Sequence, residues 1–498
     1  MTPISRRDAL GLGAAALAAF PLARAADRRR PGSAPSTDDP FVLGVCSGDP
    51  DATSVVLWTR LAGPGGALLE AGDVPVTWEL SEDEGFTSVV AGGTVDALAR
   101  EGHAVHAVVD LSAPAWFRFT TGGWTSPIGR TAPAPRDADT LTVAAASCQN
   151  FEVGYYAAHR DIAEWQPDLV VFLGDFIYEY AANPVGDHVL RSHHGPEVRT
   201  IDDYRIRYGQ YLGDRHLAAS RAAAPWLAIW DDHEVENNHA RLVPEDPADV
   251  DGFAERRLAA YQAWWEHMPV RMARPTSADF TIYRRVEWSS LATFFLLDGR
   301  QYRSDQACGD VTLNFDPPCA DALVDDRTML GSEQEVWLAG GLADVSARWA
   351  VIAQQTVVSD MRLENGAIIN YDQWDGYAPA RDRLLLAAAQ PERTIVLTGD
   401  IHLAAAARLP GVGAEFVSTG VSSRSPVDQA AADALTSLFP DVVGVEADHR
   451  GYVRHTVTND AWTAEFRTVD DATDPDSAVS TWKTFTVDAN VRDVVVEA

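Results

Sequence analysis

In LVVFLGDFIYEY (169–180), five consecutive apolar residues run straight into Gly174 and Asp175, with Tyr178 three residues further on. Short, β-branched-rich runs of this kind are the signature of strands buried on both faces. The pattern recurs in LTVAAAS (141–147), WLAIWDD (226–232), ATFFLLD (292–298), WAVIAQQ (349–355), TIVLTGD (394–400) and EFVSTG (415–420). Between these runs lie stretches of helical texture, at AERRLAAYQAWWEHM (254–268), SEQEVWLAGGLADV (332–345) and ARDRLLLAAA (380–389). Strands alternating with helices predict an α/β domain. Polar residues cluster where several of the strands end: Cys148 after 141–147, Asp175 and Tyr178 after 169–174, Asp231, Asp232 and His233 after 226–230, and Asp400 and His402 after 394–399. In open α/β sheets ligands bind outside the carboxyl ends of the strands, so four segments are expected to deliver these side chains to one rim.

Upstream the texture differs. Residues 41–135 hold short alternating runs at a spacing near ten residues, among them SVVLWTRL, VPVTWEL, HAVHAVVDL and WFRFTTG, which predicts a small β-sandwich. TAPAPRDAD (131–139) reads as a hinge, and the domain from 136 to 498 as the catalytic unit. GYVRHTVT (451–458), TAEFRTVD (463–470) and WKTFTV (482–487) read as its closing strands. The segment 26–40, ADRRRPGSAPSTDDP, is polar and proline-rich and reads as a linker. Residues 1–25 carry Arg6 and Arg7, an apolar run from Ala9 to Leu22, and Ala23-Arg24-Ala25 as an A-x-A cleavage site. This is a twin-arginine export signal, too short to span a bilayer. It implies transient contact with the twin-arginine translocation machinery, which carries folded proteins, and a periplasmic or secreted product cleaved near Ala25 without stable membrane insertion.

The 498 residues include 72 acidic and 40 basic side chains, a net charge of −32. Such a field repels nucleic acid, which is excluded as a stable partner, and repels a phosphate substrate unless bound cations reverse the local sign. Lys483 is the single lysine. A phosphate-binding G-x-x-x-x-G-K-[ST] loop is absent, and a Schiff-base enzyme would have only this residue to use. The G-x-G at Gly11 and Gly13 lies inside the leader. No C-x-x-C occurs, so zinc-ribbon and thioredoxin readings fail. Export permits disulfides, and Cys308 and Cys319 flank a polar loop suited to a local bridge. Cys46 and Cys148 are open to three readings: a pair, buried thiols or metal ligands.

The residue types at the rim point to metal. Carboxylates can bridge two cations, while thiolate and imidazole suit a transition metal. Phenolate ligation favours a hard trivalent ion, because the proton it must lose ordinarily leaves near pH 10. Each residue alone reads as blandly as a turn Asp, a buried thiol or a packed Tyr. Four such strand ends in one chain do not. SCQN (147–150), GDFIYEY (174–180), WDDHEVENN (230–238) and GDIH (399–402) resemble the motifs of the PhoD-like alkaline phosphatase/phosphodiesterase family, and FVLGVCSGDPDATSVVLWTRL (41–61) is similar to that family's N-terminal β-domain. The resemblance covers nearly all of the chain beyond the leader. It implies the four-layer α/β/β/α core of the calcineurin-like metallophosphoesterases. It also implies Fe(3+) held by Cys148, Asp175, Tyr178 and His402, with Asp175 bridging to Ca(2+). Asp232 and Asp400 stand where second-metal ligands are expected, and Asn238 is placed to approach a further calcium. His233 would contact the phosphate or protonate the leaving oxygen, and Asn150 would donate to a phosphate oxygen. Cys46 carries no expected function. His188, His193 and His194 lie in a polar insertion expected to be a solvated loop.

The function so implied is a secreted, metal-dependent phosphoric ester hydrolase acting on small phosphate esters, with a metal-bound hydroxide attacking phosphorus in line. G-x-S-x-G is absent and no covalent phosphoenzyme is required. Two alternatives stand beside it: a phospholipase D-like diesterase acting on lipid headgroups, and an exported binding protein with an inert α/β domain.

Overall fold

A computed structural model describes residues 38–182, 189–311, 315–491 and 494–496. The leader, most of the linker and His188 lie outside the described residues. The described residues form a mixed α/β structure with three sheets. The largest has ten strands. At its centre the parallel strands Thr140–Ala146, Leu169–Phe172 and Pro225–Ala228 lie side by side. The second has seven strands, with Ala292–Leu296, Trp349–Ala353, Thr394–Thr398 and Gly413–Val417 parallel at its centre. The predicted strands all form. Most stop two or three residues short of the quoted runs, because the terminal polar residues turn away into the rim.

One hydrophobic core joins the two large sheets. Val170, Val171 and Leu227 of one share it with Phe294, Val351, Ile395 and Phe416 of the other. Aromatic residues fill the centre: Trp226 stacks on Phe172 at 5.5 Å between ring centroids, and Trp230 on Tyr261 at 4.1 Å. The helices Gly331–Ala343 and Ala378–Ala388 cover the other side of the seven-stranded sheet, where Leu338, Leu342 and Leu384 meet Phe295, Ile352 and Val396. Phe253–His267 packs its buried Tyr261 and Trp264 into the shared core.

The N-terminal segment is less separate than a free-standing sandwich. Its strands Val74–Ser81, Val89–Ala97 and Ala115–Thr121 build the five-stranded third sheet, which packs through Val76, Leu80, Phe117 and Phe119 on Val55, Leu57, Val105 and Val109. Those partners belong to Ser54–Arg60 and Ala104–Asp110, which are strands of the ten-stranded sheet. The continuity runs through Val45–Gly48, whose Ser47 and Gly48 pair in parallel with Pro225 and Trp226. Gly48 is required there, because a Cβ would stand 2.5 Å from two carbonyl oxygens. At the opposite edge Arg450–Thr458, Ala461–Val469, Val479–Asp488 and Val494–Val496 extend the sheet antiparallel from Thr140–Ala146.

Cys308 and Cys319 form a disulfide. Cys46 and Cys148 are separate buried thiols, and burial pushes Cys46 up to about 11. The insertion histidines divide. His194 is exposed, but His193 is buried, with its Nε2 2.9 Å from the Tyr211 hydroxyl and its ring stacked on Phe151 and Tyr211. His193 is therefore core, not solvated loop: its aromatic neighbours give the imidazole a flat surface to cover.

His455 generates an acid-sensitivity prediction. Its Nδ1 accepts from Trp462 Nε1 at 3.0 Å, which a proton on that nitrogen would forbid, and burial lowers its pKa to about 3. The unfolded chain protonates near 6.5, so this contribution is whole above pH 6.5 and is lost as pH falls toward 3. Thermal unfolding of wild type and His455→Phe at pH 7.5 and pH 5 is expected to shift in the variant's favour at pH 5, by about 2 kcal/mol. An unchanged difference would show that His455 takes up its proton in the folded state.

Candidate metal centre

The rim forms where the carboxyl ends of both large sheets meet. The loop after Thr140–Ala146 is tied to the next one by Cys148 N–H donating to Gly174 O at 3.1 Å and Gln149 N–H to Asp175 O at 3.1 Å. The loop after Gly413–Val417 crosses from the other sheet. Ser422 and Ser423 N–H groups donate to the Cys148 carbonyl, and Val421 N–H to Ser147 O. Gly174 sits at φ 103°, and a Cβ on it would stand 2.5 Å from the Asp231 backbone nitrogen. Only glycine lets those two loops touch.

Glu234 fixes the same pair of loops from beneath. Its buried carboxylate accepts from the backbone N–H groups of Asp175 at 3.0 Å, Phe176 at 2.6 Å and Asp231 at 2.8 Å. Cys148, Asp175, Asn238, Asp400 and His402 all have positive φ, between 51° and 65°. Non-glycine residues avoid this region, and such backbone clusters at functional sites where the surroundings over-determine it.

Three groups of ligand atoms converge, each within 4.8 Å: Cys148, Asp175 and His402; Asp175, Asp232 and His233; and Asp231, Asp232 and Asp400. Asp175 belongs to two of them. Tyr178 completes the first, its hydroxyl donating to Asp175 Oδ2 at 2.9 Å and lying 3.0 Å from His402 Nε2 and 2.7 Å from Ser423 Oγ. His402 Nδ1 lies 3.0 Å from the Arg424 carbonyl, which fixes the ring and leaves Nε2 facing the rim. Burial, reinforced by the Asp175 carboxylate, pushes the Cys148 thiol and the Tyr178 phenol well above their ordinary values. These donors release their protons only to a cation that replaces them. Asp175 Oδ1 is buried without a hydrogen-bond partner among the described residues, as a ligand oxygen would be. The donor set therefore fits a metal ion.

His233 lies against this centre. Its ring centroid is 4.0 Å from that of Tyr178, and its Nδ1 is 2.8 Å from Glu179 Oε2. Burial opposes its charge, but Glu179, Asp175 and Asp232 outweigh that and hold the imidazole well above its ordinary pKa. Asp232 is the converse case: burial is overcome by Arg300 and His233, which keep its carboxyl below the usual range. Asn238 reaches the site through its backbone, donating N–H to Asp232 Oδ2 at 2.6 Å, while its side-chain amide donates to Asp310 Oδ2 at 3.1 Å. Asn150 makes a turn with its side chain, Oδ1 accepting from Glu152 N–H at 3.0 Å.

Sequence reasoning missed Glu234, Glu179, Ser423 and Arg300. Arg300 had a signal: ATFFLLDGR (292–300) is one more buried strand ending in polar residues. Glu234 and Glu179 sit inside quoted motifs, but nothing in the order of residues distinguishes a loop staple from a ligand.

Two family models match the chain: PhoD-like phosphatase over residues 143–466, and PhoD-like phosphatase, N-terminal domain, over residues 25–135. The chain is 41% identical over 474 residues to alkaline phosphatase D of Bacillus subtilis (strain 168), covering 90% of this chain and 80% of that protein. A solved structure of PhoD superposes with a TM-score of 0.88 at 39% identity, covering 93% of each chain.

Glu234→Gln tests the staple. An amide has one accepting atom, so in either orientation its NH2 group faces a backbone N–H. The substitution is expected to cost about 2 kcal/mol in denaturant unfolding. An unchanged midpoint would mean that the loops hold without Glu234.

Proposed function

The chain belongs to the PhoD-like phosphatase family and is a phosphoric ester hydrolase, and from that premise we propose that it cleaves small phosphate esters at a mixed iron–calcium centre after export from the cytoplasm. The observation that carries the metal assignment is that Asp175 is shared by two convergent ligand groups, as a carboxylate bridging two cations must be. Cys148, Asp175, Tyr178 and His402 would hold Fe(3+), since thiolate and phenolate are donors that calcium does not favour. Asp175, Asp232 and Asp400, with Asn238 alongside, would hold Ca(2+) through oxygen. Bound cations neutralise the phosphate and lower the pKa of the attacking water.

The protein's own groups do the rest. Glu179 fixes one ring nitrogen of His233, so the other is available to a phosphate oxygen or to hand a proton to the departing alcohol. Tyr178 backs that ring and keeps it from turning. Asn150, with Oδ1 committed to its turn, keeps its amide donors for a phosphate oxygen. Loops from both sheets meet at Cys148, so the centre is held by rigid elements on two sides.

The same reading places the core in the four-layer α/β/β/α class, supported by a core shared between two sheets and by helices against them. It divides the chain into the leader 1–25, the linker 26–40, a sandwich domain 41–135 and a catalytic domain 136–498. The leader supports twin-arginine export to the periplasm or beyond. No helix among the described residues is long and apolar enough to cross a membrane. The family match, which makes the chain a phosphoric ester hydrolase, speaks against the inert-binding alternative, and the presence of every expected iron ligand supports the same reading.

Paired hydrolysis of p-nitrophenyl phosphate and bis-p-nitrophenyl phosphate, with calcium and after EGTA, tests the reading. Calcium-dependent turnover is expected, and the ratio of the rates assigns monoesterase or diesterase action. Asp175→Asn is expected to lower kcat by at least about 1000-fold, having lost the bridging charge. Cys148→Ser is expected to keep the fold and lose iron by elemental analysis. Retention of iron in that variant would make Cys148 structural.

A further inference from the structure

Arg300 lies fully buried amid the rim's carboxylates. Its Nε pairs with Asp231 Oδ1, Nη1 with Asp372 Oδ2 at 2.8 Å, and Nη2 with Asp400 Oδ1 at 2.6 Å and Asp232 Oδ1 at 3.6 Å. All three nitrogens of one guanidinium are committed, each to a different carboxylate. Asp231, Asp232 and Asp400 also form a group with metal-ligand spacing. The arginine therefore sits where the charge of a cation would be needed.

Its position is set from the strand that carries it. Arg300 N–H donates to Asp298 Oδ1 at 3.1 Å, and Asp298 is itself held by Trp230 Nε1 at 3.2 Å. The partners are fixed from behind as well. Asp372 Oδ1 takes Arg303 Nη2 and Gln306 Nε2, each at 2.8 Å, and Asp400 Oδ2 accepts from Gln373 Nε2 at 2.6 Å. Asp372 thus answers two arginines, and among the described residues it belongs to no group with metal-ligand spacing.

We infer that Arg300 is the resident cation of the Asp231–Asp232–Asp400 group: this corner of the rim takes no metal ion of its own, and Asp231 and Asp372 are counter-charges to the arginine rather than ligands. Like charges a few ångströms apart in a buried site repel strongly, and a cation supplied by the chain keeps them assembled before any metal arrives. Arginine suits the position better than lysine because its planar fork reaches three carboxylates at once. Arg300 is a positioning residue, presenting Asp232 and Asp400 to the metal that Asp175 shares.

The inference rests on the rim being a metal centre, and the test separates the two. Iron and calcium are counted in wild type, Arg300→Met and Asp231→Asn by elemental analysis after equilibrium dialysis against calcium, and thermal unfolding is followed in chelator and in millimolar calcium. Wild type without bound metal would overturn the metal centre itself. With metal bound in wild type, Arg300→Met is expected to unfold about 5 °C or more below wild type in chelator, to recover at least half of that gap in calcium, and to bind one calcium more per chain. Folding of this variant only in calcium is the same result in extreme form. An equal gap in both conditions with an unchanged calcium count overturns the inference. Should Arg300→Met fold in neither, Asp231→Asn decides: its calcium count is expected to match wild type. Asp231 Oδ2 has no hydrogen-bond partner among the described residues, so loss of calcium in this variant would make Asp231 a ligand and the inference wrong.

Discussion

The arrangement depends on holding many buried negative charges in one place. Asp175, Glu179, Asp231, Asp232, Glu234 and Asp372 are all nearly or fully withdrawn from water around the rim, and Asp400 is partly so. Buried charge survives only where it is paired or hydrogen-bonded. Each carboxylate here has its own answer. Glu234 takes three backbone N–H groups, Glu179 takes His233 and Asn237, and four aspartates share Arg300. Asp175 keeps one oxygen without a protein partner. Asp231 Oδ2 and Asp232 Oδ1 are likewise without a hydrogen-bond partner among the described residues, so the rim keeps open oxygens on three of its aspartates.

Strand topology makes this crowding possible. Parallel strands bring all their carboxyl ends to one edge, and two sheets sharing a core bring two such edges together. The Cys148 carbonyl, which accepts from Ser422 and Ser423 across the junction, marks where they meet. The left-handed backbone at Cys148, Asp175, Asp400 and His402 follows from that meeting, since each chain must turn sharply within two to four residues of its strand. Backbone strain of this kind, roughly 1 kcal/mol or more at each residue, persists because the loops hold one another.

Much of this was legible in the sequence. Every central strand shows in the sequence as an apolar run, and the polar residues that follow mark the rim. The candidate ligand groups converge because the strands fix their origin. What was not legible depends on side chains meeting across long stretches of chain. Arg300 is 69 residues from Asp231 and 100 from Asp400, and nothing local to LLDGR says where its guanidinium points. His193 looked solvated because its neighbours in sequence are polar, whereas its neighbours in space are Phe151 and Tyr211. The N-terminal sandwich was legible as a sandwich, but its parallel pairing with Pro225–Ala228 was not, because periodicity reports which face of a strand is buried and not which strand lies beside it.

The acidity of the whole chain and the chemistry of the rim belong together. A net charge of −32 raises the local concentration of divalent cations and lowers that of phosphate esters. Such a surface favours a bound cation and disfavours an anionic substrate until a cation is in place. Arg300 does not relieve this, because its charge is spent on four carboxylates and none of it reaches the solvent. On the proposed reading, loading of the metal would turn a repulsive surface into one that accepts an anion, so a dependence of turnover on the metal would follow from the protein's electrostatics as much as from coordination chemistry.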